Sequence, residues 1–135
     1  MSRRVYLDAS ALVKVILNEP ESAPLAEYLS DWPVLVTSCI SVVEVPRAVR
    51  WAGASSGSQA AARELVADCD QIELDSELRR VAAIVKPEFL KSLDAIHLAS
   101  ALTVQHLIDA FVTYDRRLAG AARDAGLPVV APGQT

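Results

Sequence analysis

One joint near the start of the chain decides the fold: Val5-Tyr6-Leu7-Asp8-Ala9-Ser10-Ala11-Leu12. Its first three residues are apolar and predict a short buried strand, and the apolar stretch from Ser10 to Leu17 predicts a helix packed on a sheet. Asp8 lies between these two segments, where a carboxylate requires a specific partner. The joint therefore predicts a strand–helix unit with an acidic group at the carboxyl end of its strand.

Outward from this joint, short apolar strands alternate with helices. Further strands are predicted at Val34–Thr37, Ile72–Leu74, Ala110–Thr113 and Pro128–Ala131. Helices are predicted over 21–29, 41–51, 59–69, 76–85, 92–106 and 116–125, the last ended by Gly126, with a small-residue loop over 53–58. Since strands joined by helices run parallel, the pattern predicts a three-layer α/β/α sandwich with a short, mostly parallel central sheet, as one domain over residues 1–135.

The composition agrees with such a domain. Hydrophobic residues make up 52% of the chain and aromatic residues only 5%, so aliphatic side chains must fill the core. No apolar run approaches the ~20 residues of a membrane span, and the first four residues leave no room for a signal peptide. Two cysteines in no metal-ligand spacing are expected as buried thiols in a reducing cytoplasm. The net charge of −4 does not indicate nucleic-acid binding. If the substrate is RNA, its attraction must come from a metal and from local arginines.

Three further acidic residues lie at equivalent joints: Glu44, Asp94 and Asp115. In a parallel α/β sheet, strand carboxyl ends and helix amino ends share the edge where such folds bind ligands. Four carboxylates on that edge would repel one another unless a divalent cation lay among them. The sequence therefore predicts a metal site for one or two ions, with water completing the coordination.

Each acid also has a purely structural interpretation. Ser41-Val42-Val43-Glu44 has the form of a capping box, and Asp94 would favour a helix N-terminus through the helix dipole. Asp8 and Asp115 could each cap the helix that follows. For each acid alone both interpretations stay open, whereas the shared edge favours a metal site for the four together.

Such a carboxylate cluster suits phosphodiester hydrolysis. A divalent ion makes a water molecule more acidic, and a second ion would stabilise the leaving oxygen. The hydroxyls of Ser10 and Thr113 could support the carboxylates through hydrogen bonds. Ordinary helix-start and strand-end hydroxyls are an equal alternative for both.

Four blocks of the sequence carry a resemblance to a known family: Tyr6–Lys14, Ser41–Val45, Ser92–Ala99 and Phe111–Leu118. In order and separation they resemble the PIN-domain ribonucleases, and specifically the VapC-type toxins of prokaryotic toxin–antitoxin pairs. The third block, Ser92-Leu93-Asp94-Ala95-Ile96-His97-Leu98-Ala99, is the most specific. The resemblance extends from Val5 to about Pro132.

The resemblance implies an endoribonuclease that uses Mg²⁺ or Mn²⁺ to cut structured RNA such as tRNA or ribosomal RNA. Asp8 and Asp94 would be direct metal ligands, Glu44 would bind the metal or position water, and Asp115 would complete the cluster. Thr113 matches the family pattern as a supporting hydroxyl. The resemblance also implies a homodimer that a small cognate antitoxin neutralises by laying its tail across the active site.

Several basic residues are candidate contacts for RNA phosphates or for acidic groups of an antitoxin: Arg47, Arg50, Lys91 and Arg116. Solvated helix surface is the alternative for each. Lys91 stands where many relatives have arginine, and lysine lacks the bidentate phosphate geometry. On its apolar helix His97 is interpreted as a packed, hydrogen-bonded residue outside the catalytic set, and Trp32 and Trp51 as packing residues.

Other protein classes would require different residues at the same strand–helix joints. A receiver domain would need an adjacent acidic pair after the first strand, and a haloacid-dehalogenase-type phosphatase would need Asp-x-Asp, where this chain has Ser10. A PIN nuclease with a housekeeping role and no antitoxin stays open as an alternative, as does a non-catalytic binding module. Such a module predicts an eroded acidic set, whereas all four positions are acidic here.

Overall fold

A computed structural model of the chain describes residues 3–135 and contains a five-stranded sheet. The strands are β1 (Arg4–Leu7), β2 (Val34–Ser38), β3 (Asp70–Ile72), β4 (Ala110–Val112) and β5 (Val129–Val130). The helices are α1 (Ala9–Ile16), α2 (Ser22–Leu29), α3 (Ser41–Trp51), α4 (Ser56–Asp68), α5 (Ser76–Ile84), α6 (Ser92–Thr103) and α7 (Arg116–Asp124). None of the helices within residues 3–135 is long and apolar enough to cross a membrane.

The strand order is β3-β2-β1-β4-β5, and all four pairings are parallel. From the central strand β1 the chain first builds outward to β2 and β3, then returns to place β4 and β5 on the other side. The order of the strands therefore reverses between β1 and β4, and such a switch point opens a crevice at the carboxyl ends of the two strands.

Alternating residues of β1 divide the core into two layers. Val5 and Leu7 pack with buried residues of α1, α2, α3 and α4, whereas Tyr6 packs with α6 and α7. Since successive strand side chains face opposite sides of a sheet, these two clusters cover its two faces. The predicted α/β/α sandwich is confirmed, and the sheet is wholly parallel.

Three local predictions were wrong. The helix predicted over 92–106 ends at Thr103. The third strand is Asp70–Ile72, so Glu73 and Leu74 lie outside it, because pairing with β2 through Val36 to Ser38 sets its limits. Half of the predicted loop over 53–58 is helix, since α4 begins at Ser56 and the Ser55 side chain accepts from the backbone N–H of Ser58. A serine N-cap lets small polar residues start a helix.

Phe111→Ala is expected to lower the free energy of unfolding by about 3–5 kcal/mol, because it leaves a cavity in a close-packed core. Phe111 is fully buried and stacks on Tyr6 with ring centroids 5.2 Å apart. Urea denaturation measures the effect, and Phe89→Ala is the control, since Phe89 is 76% exposed. Equal losses in the two variants would contradict this description of the core.

Candidate active site

All four predicted acids lie at the end of the sheet where the strands finish. Asp8 follows β1 and caps α1, and Asp115 follows β4 and caps α7. Glu44 and Asp94 lie in the first turns of α3 and α6. Asp8 and Asp115 therefore flank the crevice at the switch point, and two further helices begin beside it.

Asp8 is almost fully buried, at 3% exposure, and its two oxygens have different partners. Oδ1 accepts from the backbone N–H of Ala11 at 3.0 Å, which caps α1, and from Ser10 Oγ at 2.7 Å. Oδ2 accepts from Thr113 Oγ1 at 2.6 Å. Burial raises the pKa of Asp8, while His97 and the hydrogen bonds from both hydroxyls oppose the rise. The helix-cap interpretation of Asp8 is confirmed, and the cap occupies Oδ1 only.

The hydroxyls of Ser10 and Thr113 join the end of β1 to the end of β4. Besides donating to Asp8, Thr113 Oγ1 accepts from the backbone N–H of Asp115 at 3.1 Å. Ser10 Oγ accepts from the backbone N–H of Tyr114 at 3.0 Å. Each hydroxyl thus accepts a hydrogen bond from a backbone N–H that follows β4 and donates one to the Asp8 carboxylate that follows β1. Hydrogen bonds donated to a carboxylate favour its ionised form.

Asp94 is half-buried and shows how closely the acids interact. Burial raises its pKa, and the negative charges of Asp115, Asp8 and Glu44 raise it further, with His97 opposing them. Like charges disfavour ionisation only when they are near one another. The four acids therefore form one group of interacting negative charges, the acidic cluster.

The capping-box interpretation of Glu44 was wrong. Ile40 precedes the first turn of α3, and no side chain caps that helix. Ser41 Oγ hydrogen-bonds to Thr37 Oγ1 at 2.8 Å, and the Glu44 carboxylate reaches across to α6. Glu44 Oε1 lies 2.7 Å from His97 Nε2. The hydrogen bonds of Ser41 to Thr37 and of Glu44 to His97 thus take the place of the capping box that the sequence indicated.

His97 is the residue near the acids whose contacts the sequence did not reveal. It is 1% exposed and lies between two partners, with Nδ1 2.8 Å from the Tyr6 hydroxyl and Nε2 at Glu44. Its prediction as a packed, hydrogen-bonded histidine is confirmed, but neither partner was predicted. The available signal was spacing, since His97 lies three residues after Asp94 and so shares its side of α6.

Each acid keeps some capacity to accept a further ligand. Within residues 3–135, Asp8 Oδ2 accepts one hydrogen bond, and Glu44 and Asp115 each use a single oxygen. An ionised carboxylate offers about four lone-pair positions, so free positions remain on all of them. Asp115 Oδ1 accepts from the backbone N–H groups of Arg117 and Leu118, which confirms its capping interpretation.

This donor set fits a hard divalent cation in its chemistry, because carboxylate oxygens are the ligands that Mg²⁺ prefers. In the part of the chain that the structure describes, no three His, Cys, Asp or Glu side chains form a ready metal-binding group. Mg²⁺ is commonly held by one or two carboxylates, with water and substrate phosphate supplying the other ligands. The arrangement fits that mode of binding, and not a closed protein cage.

The predicted basic contacts fall into two groups. Lys91 and Arg116, with Arg117, line a cleft of about 420 Å³ together with Asp94 and Asp115. Arg116 Nη2 also donates to the backbone carbonyl of Thr135 at 2.7 Å. Positive charge therefore lies directly beside two of the acids.

Arg47 and Arg50 line a different cleft, of about 430 Å³, together with Trp51. Trp51 is 93% exposed, so its prediction as a packing residue was wrong. It ends α3, beyond the part of the helix that the core covers. Trp32 is 9% exposed and packs in the core as predicted.

Thr113→Val is expected to lower the free energy of unfolding by about 1–3 kcal/mol, because it leaves a buried hydrogen-bonding group unsatisfied. The hydroxyl is fully buried, donates to Asp8 and accepts from the Asp115 N–H, and valine has nearly the same shape. Chemical denaturation of both proteins in EDTA gives the difference. Thr103→Val, at an exposed residue of α6 whose hydroxyl donates only to the Ser100 carbonyl of its own helix, serves as the control. A Thr113→Val protein as stable as this control would contradict the assignment.

The fold and the acids at its switch-point crevice agree with the PIN-domain class that the sequence resembles. Comparison with known proteins leads to the same class. The PIN-domain family matches residues 5–124, so the chain belongs to that family. Its relatives include Ribonuclease VapC35 of Mycobacterium tuberculosis, which is 44% identical over 134 residues, covering 96% of this chain and 98% of VapC35. The predicted resemblance to the VapC-type members of the PIN-domain family is confirmed.

Solved structures share the fold. The crystal structure of Mycobacterium tuberculosis VapC20, described as a sarcin–ricin loop cleaving toxin, superposes with a TM-score of 0.75 at 15% identity. The alignment covers 95% of this chain and 99% of VapC20. A chain of a toxin–antitoxin complex from Klebsiella pneumoniae superposes with a TM-score of 0.69 at 21% identity, covering 95% of this chain and 97% of that one. At these identities the structures support the fold alone.

Proposed function

We propose that this protein is a metal-dependent endoribonuclease that acts as the toxin of a toxin–antitoxin pair. One observation carries the proposal. Four interacting carboxylates lie at the switch-point edge of a PIN-domain chain that is 44% identical, over nearly its full length, to a named VapC ribonuclease.

Mg²⁺ is the proposed cofactor, with Mn²⁺ as an alternative ion. Asp8 and Asp94 are the proposed direct ligands, and Glu44 and Asp115 complete the set through their free oxygens. The ion would supply Lewis-acid stabilisation of the phosphodiester and a more acidic water nucleophile. The high local negative charge favours its binding, since an ion would relieve the repulsion that raises the pKa of Asp94.

The remaining residues have proposed supporting roles. Ser10 and Thr113 hold Asp8 through hydrogen bonds of 2.7 and 2.6 Å, so its carboxylate does not reorient when RNA binds. Lys91 and Arg116 lie in the same cleft as Asp94 and Asp115, where they would bind phosphates on either side of the cut bond. Arg47 and Arg50, in their separate cleft, would contact RNA or antitoxin farther from the chemistry.

Structured RNA is the proposed substrate class. VapC20, with the same fold, is described as cleaving the sarcin–ricin loop, so a ribosomal RNA hairpin is the first substrate to test and tRNA the second. Local positive charge beside the acids provides the attraction that the net charge of −4 does not.

An antitoxin is the proposed protein partner, and a homodimer the proposed form of the toxin. The Klebsiella pneumoniae structure of the same fold is a toxin–antitoxin complex. Exposed apolar side chains beside the acids would be covered in such assemblies, including Val42 and Val43 on α3 and Leu93 on α6, which are 50%, 60% and 49% exposed.

Incubation of the purified protein with a sarcin–ricin hairpin, with tRNA and with total RNA tests the proposal. Discrete fragments are expected with Mg²⁺ or Mn²⁺ and none with EDTA. Sequencing the fragment ends would name the target. Correctly folded, antitoxin-free protein that leaves all three RNAs intact with either metal would contradict the endoribonuclease assignment.

A further inference from the structure

The buried pair Tyr6 and His97 links three segments that meet at the acidic cluster. Tyr6 is on β1, His97 on α6, and their common target Glu44 on α3. Tyr6 is fully buried and His97 is 1% exposed, so both side chains are fixed by surrounding atoms and neither is a flexible surface group. The path from the tyrosine hydroxyl through the imidazole to Glu44 consists of hydrogen-bond distances of 2.8 and 2.7 Å.

We propose that Tyr6 and His97 are positioning residues, which hold the Glu44 carboxylate through Oε1 and leave Oε2 available to a divalent cation. In this arrangement the Tyr6 hydroxyl holds the imidazole at Nδ1, and Nε2–H donates to Glu44 Oε1. The inference rests on the proposed metal-dependent function and adds two residues to it.

The proton arrangement follows from what each atom can donate. An ionised carboxylate only accepts hydrogen bonds, so the imidazole nitrogen that faces Glu44 Oε1, which is Nε2, must be the donor. The Tyr6 hydroxyl lies 2.8 Å from Nδ1, so both ring nitrogens of the buried imidazole have a partner.

The position of His97 gives this path a second consequence. His97 lies one turn after Asp94 on α6, so the same helix supplies one acid directly and orients another through its imidazole. Outer partners that orient a ligand commonly contribute 10–100-fold, roughly, to metal affinity or activity. His97 would thereby set the separation of Glu44 and Asp94 when the cation binds.

Two substitutions of His97 separate positioning from core filling. In His97→Gln the amide N–H₂ occupies about the place of Nε2 and can still donate to Glu44. In His97→Asn the shorter amide occupies about the place of Nδ1, can accept from Tyr6, and does not reach Glu44. Both remove the ring, so a role in packing alone would affect them similarly.

Mn²⁺ affinity by isothermal titration calorimetry, together with the melting temperature in EDTA, is the primary measurement. Mn²⁺ affinity is expected to fall about 10–100-fold in His97→Asn, and by no more than about threefold in His97→Gln, which loses one neutral hydrogen bond. Tyr6→Phe keeps the stacking on Phe111 and is expected to weaken Mn²⁺ binding by a similar small factor. Equal Mn²⁺ affinities in folded His97→Asn and His97→Gln would overturn the inference.

Nitrogen-15 NMR of metal-free wild-type protein tests the proton arrangement without any variant of His97. The chain has two histidines, and His106→Gln removes the exposed one to assign the spectrum. A proton on Nε2 of His97 is expected, and a proton on Nδ1 alone would overturn the inference. Wild-type protein that binds no Mn²⁺ would instead contradict the proposed metal-dependent function, a failure that calorimetry of the wild type alone reveals.

Discussion

Asp94→Asn is expected to lower RNA cleavage by at least about 100-fold, equivalent to roughly 3 kcal/mol of lost transition-state stabilisation. Asp94 interacts with the other three acids of the cluster, and within the described residues its oxygens accept no hydrogen bond, so its proposed role is to bind the cation and not to hold the fold. Fragment yield from the same RNA at equal protein concentration measures the loss. Asp31→Asn, an exposed acid at the opposite edge of the sheet, is the matched control.

The same variant is expected to be more stable than the wild type at neutral pH in EDTA. The raised pKa of Asp94 means that the folded state binds its proton more tightly than the unfolded state. Stability is therefore lost as the pH rises from the usual aspartate value of 3.8 through the raised value, and asparagine removes this loss.

Melting curves from about pH 3, below the usual aspartate value of 3.8, to neutral pH measure this change. Addition of Mg²⁺ is expected to stabilise the wild type and to have less effect on Asp94→Asn, because the ion relieves the same repulsion. An Asp94→Asn protein that cleaves RNA normally, or that is less stable than the wild type at neutral pH in EDTA, would contradict the placement of Asp94.

We expect overexpression of the wild type to arrest growth in a bacterial host without the antitoxin, and we expect Asp8→Asn to abolish that arrest. Asparagine Oδ1 can keep the cap on α1 and the bond from Ser10, whereas the bond that Thr113 Oγ1 donates to Oδ2 is lost, so the variant is expected to fold with reduced stability. The other oxygen becomes an amide nitrogen, which donates and cannot bind a cation. Growth curves after induction, with protein amounts checked by immunoblot, give the result. Arrest by Asp8→Asn as complete as that by the wild type would show that the harm is not nucleolytic, and Asp31→Asn should arrest growth like the wild type.

The sequence was sufficient to predict features that depend only on residues close together along the chain. The apolar segments and their spacing predicted the strands and helices, and therefore the parallel sheet and the edge at which Asp8 and Asp115 meet. Both acids cap the helices that follow them, as their positions indicated, because a cap needs only the next three residues. Gly126, with φ +91°, follows the end of α7, since glycine adopts the left-handed conformation without strain.

Only the tertiary structure determined which distant residues the polar side chains form hydrogen bonds with. Glu44 and His97 are separated by 53 positions along the chain, and Ser41 bonds to Thr37 in place of the expected capping box. Nothing local distinguishes a glutamate that caps a helix from one that reaches another helix, because both use the same carboxylate. The exposure of Trp51 likewise depends on where the core ends along α3. Local pattern thus determined the elements and the edge that carries the acids, whereas competition among partners brought together by folding determined how each acid is held.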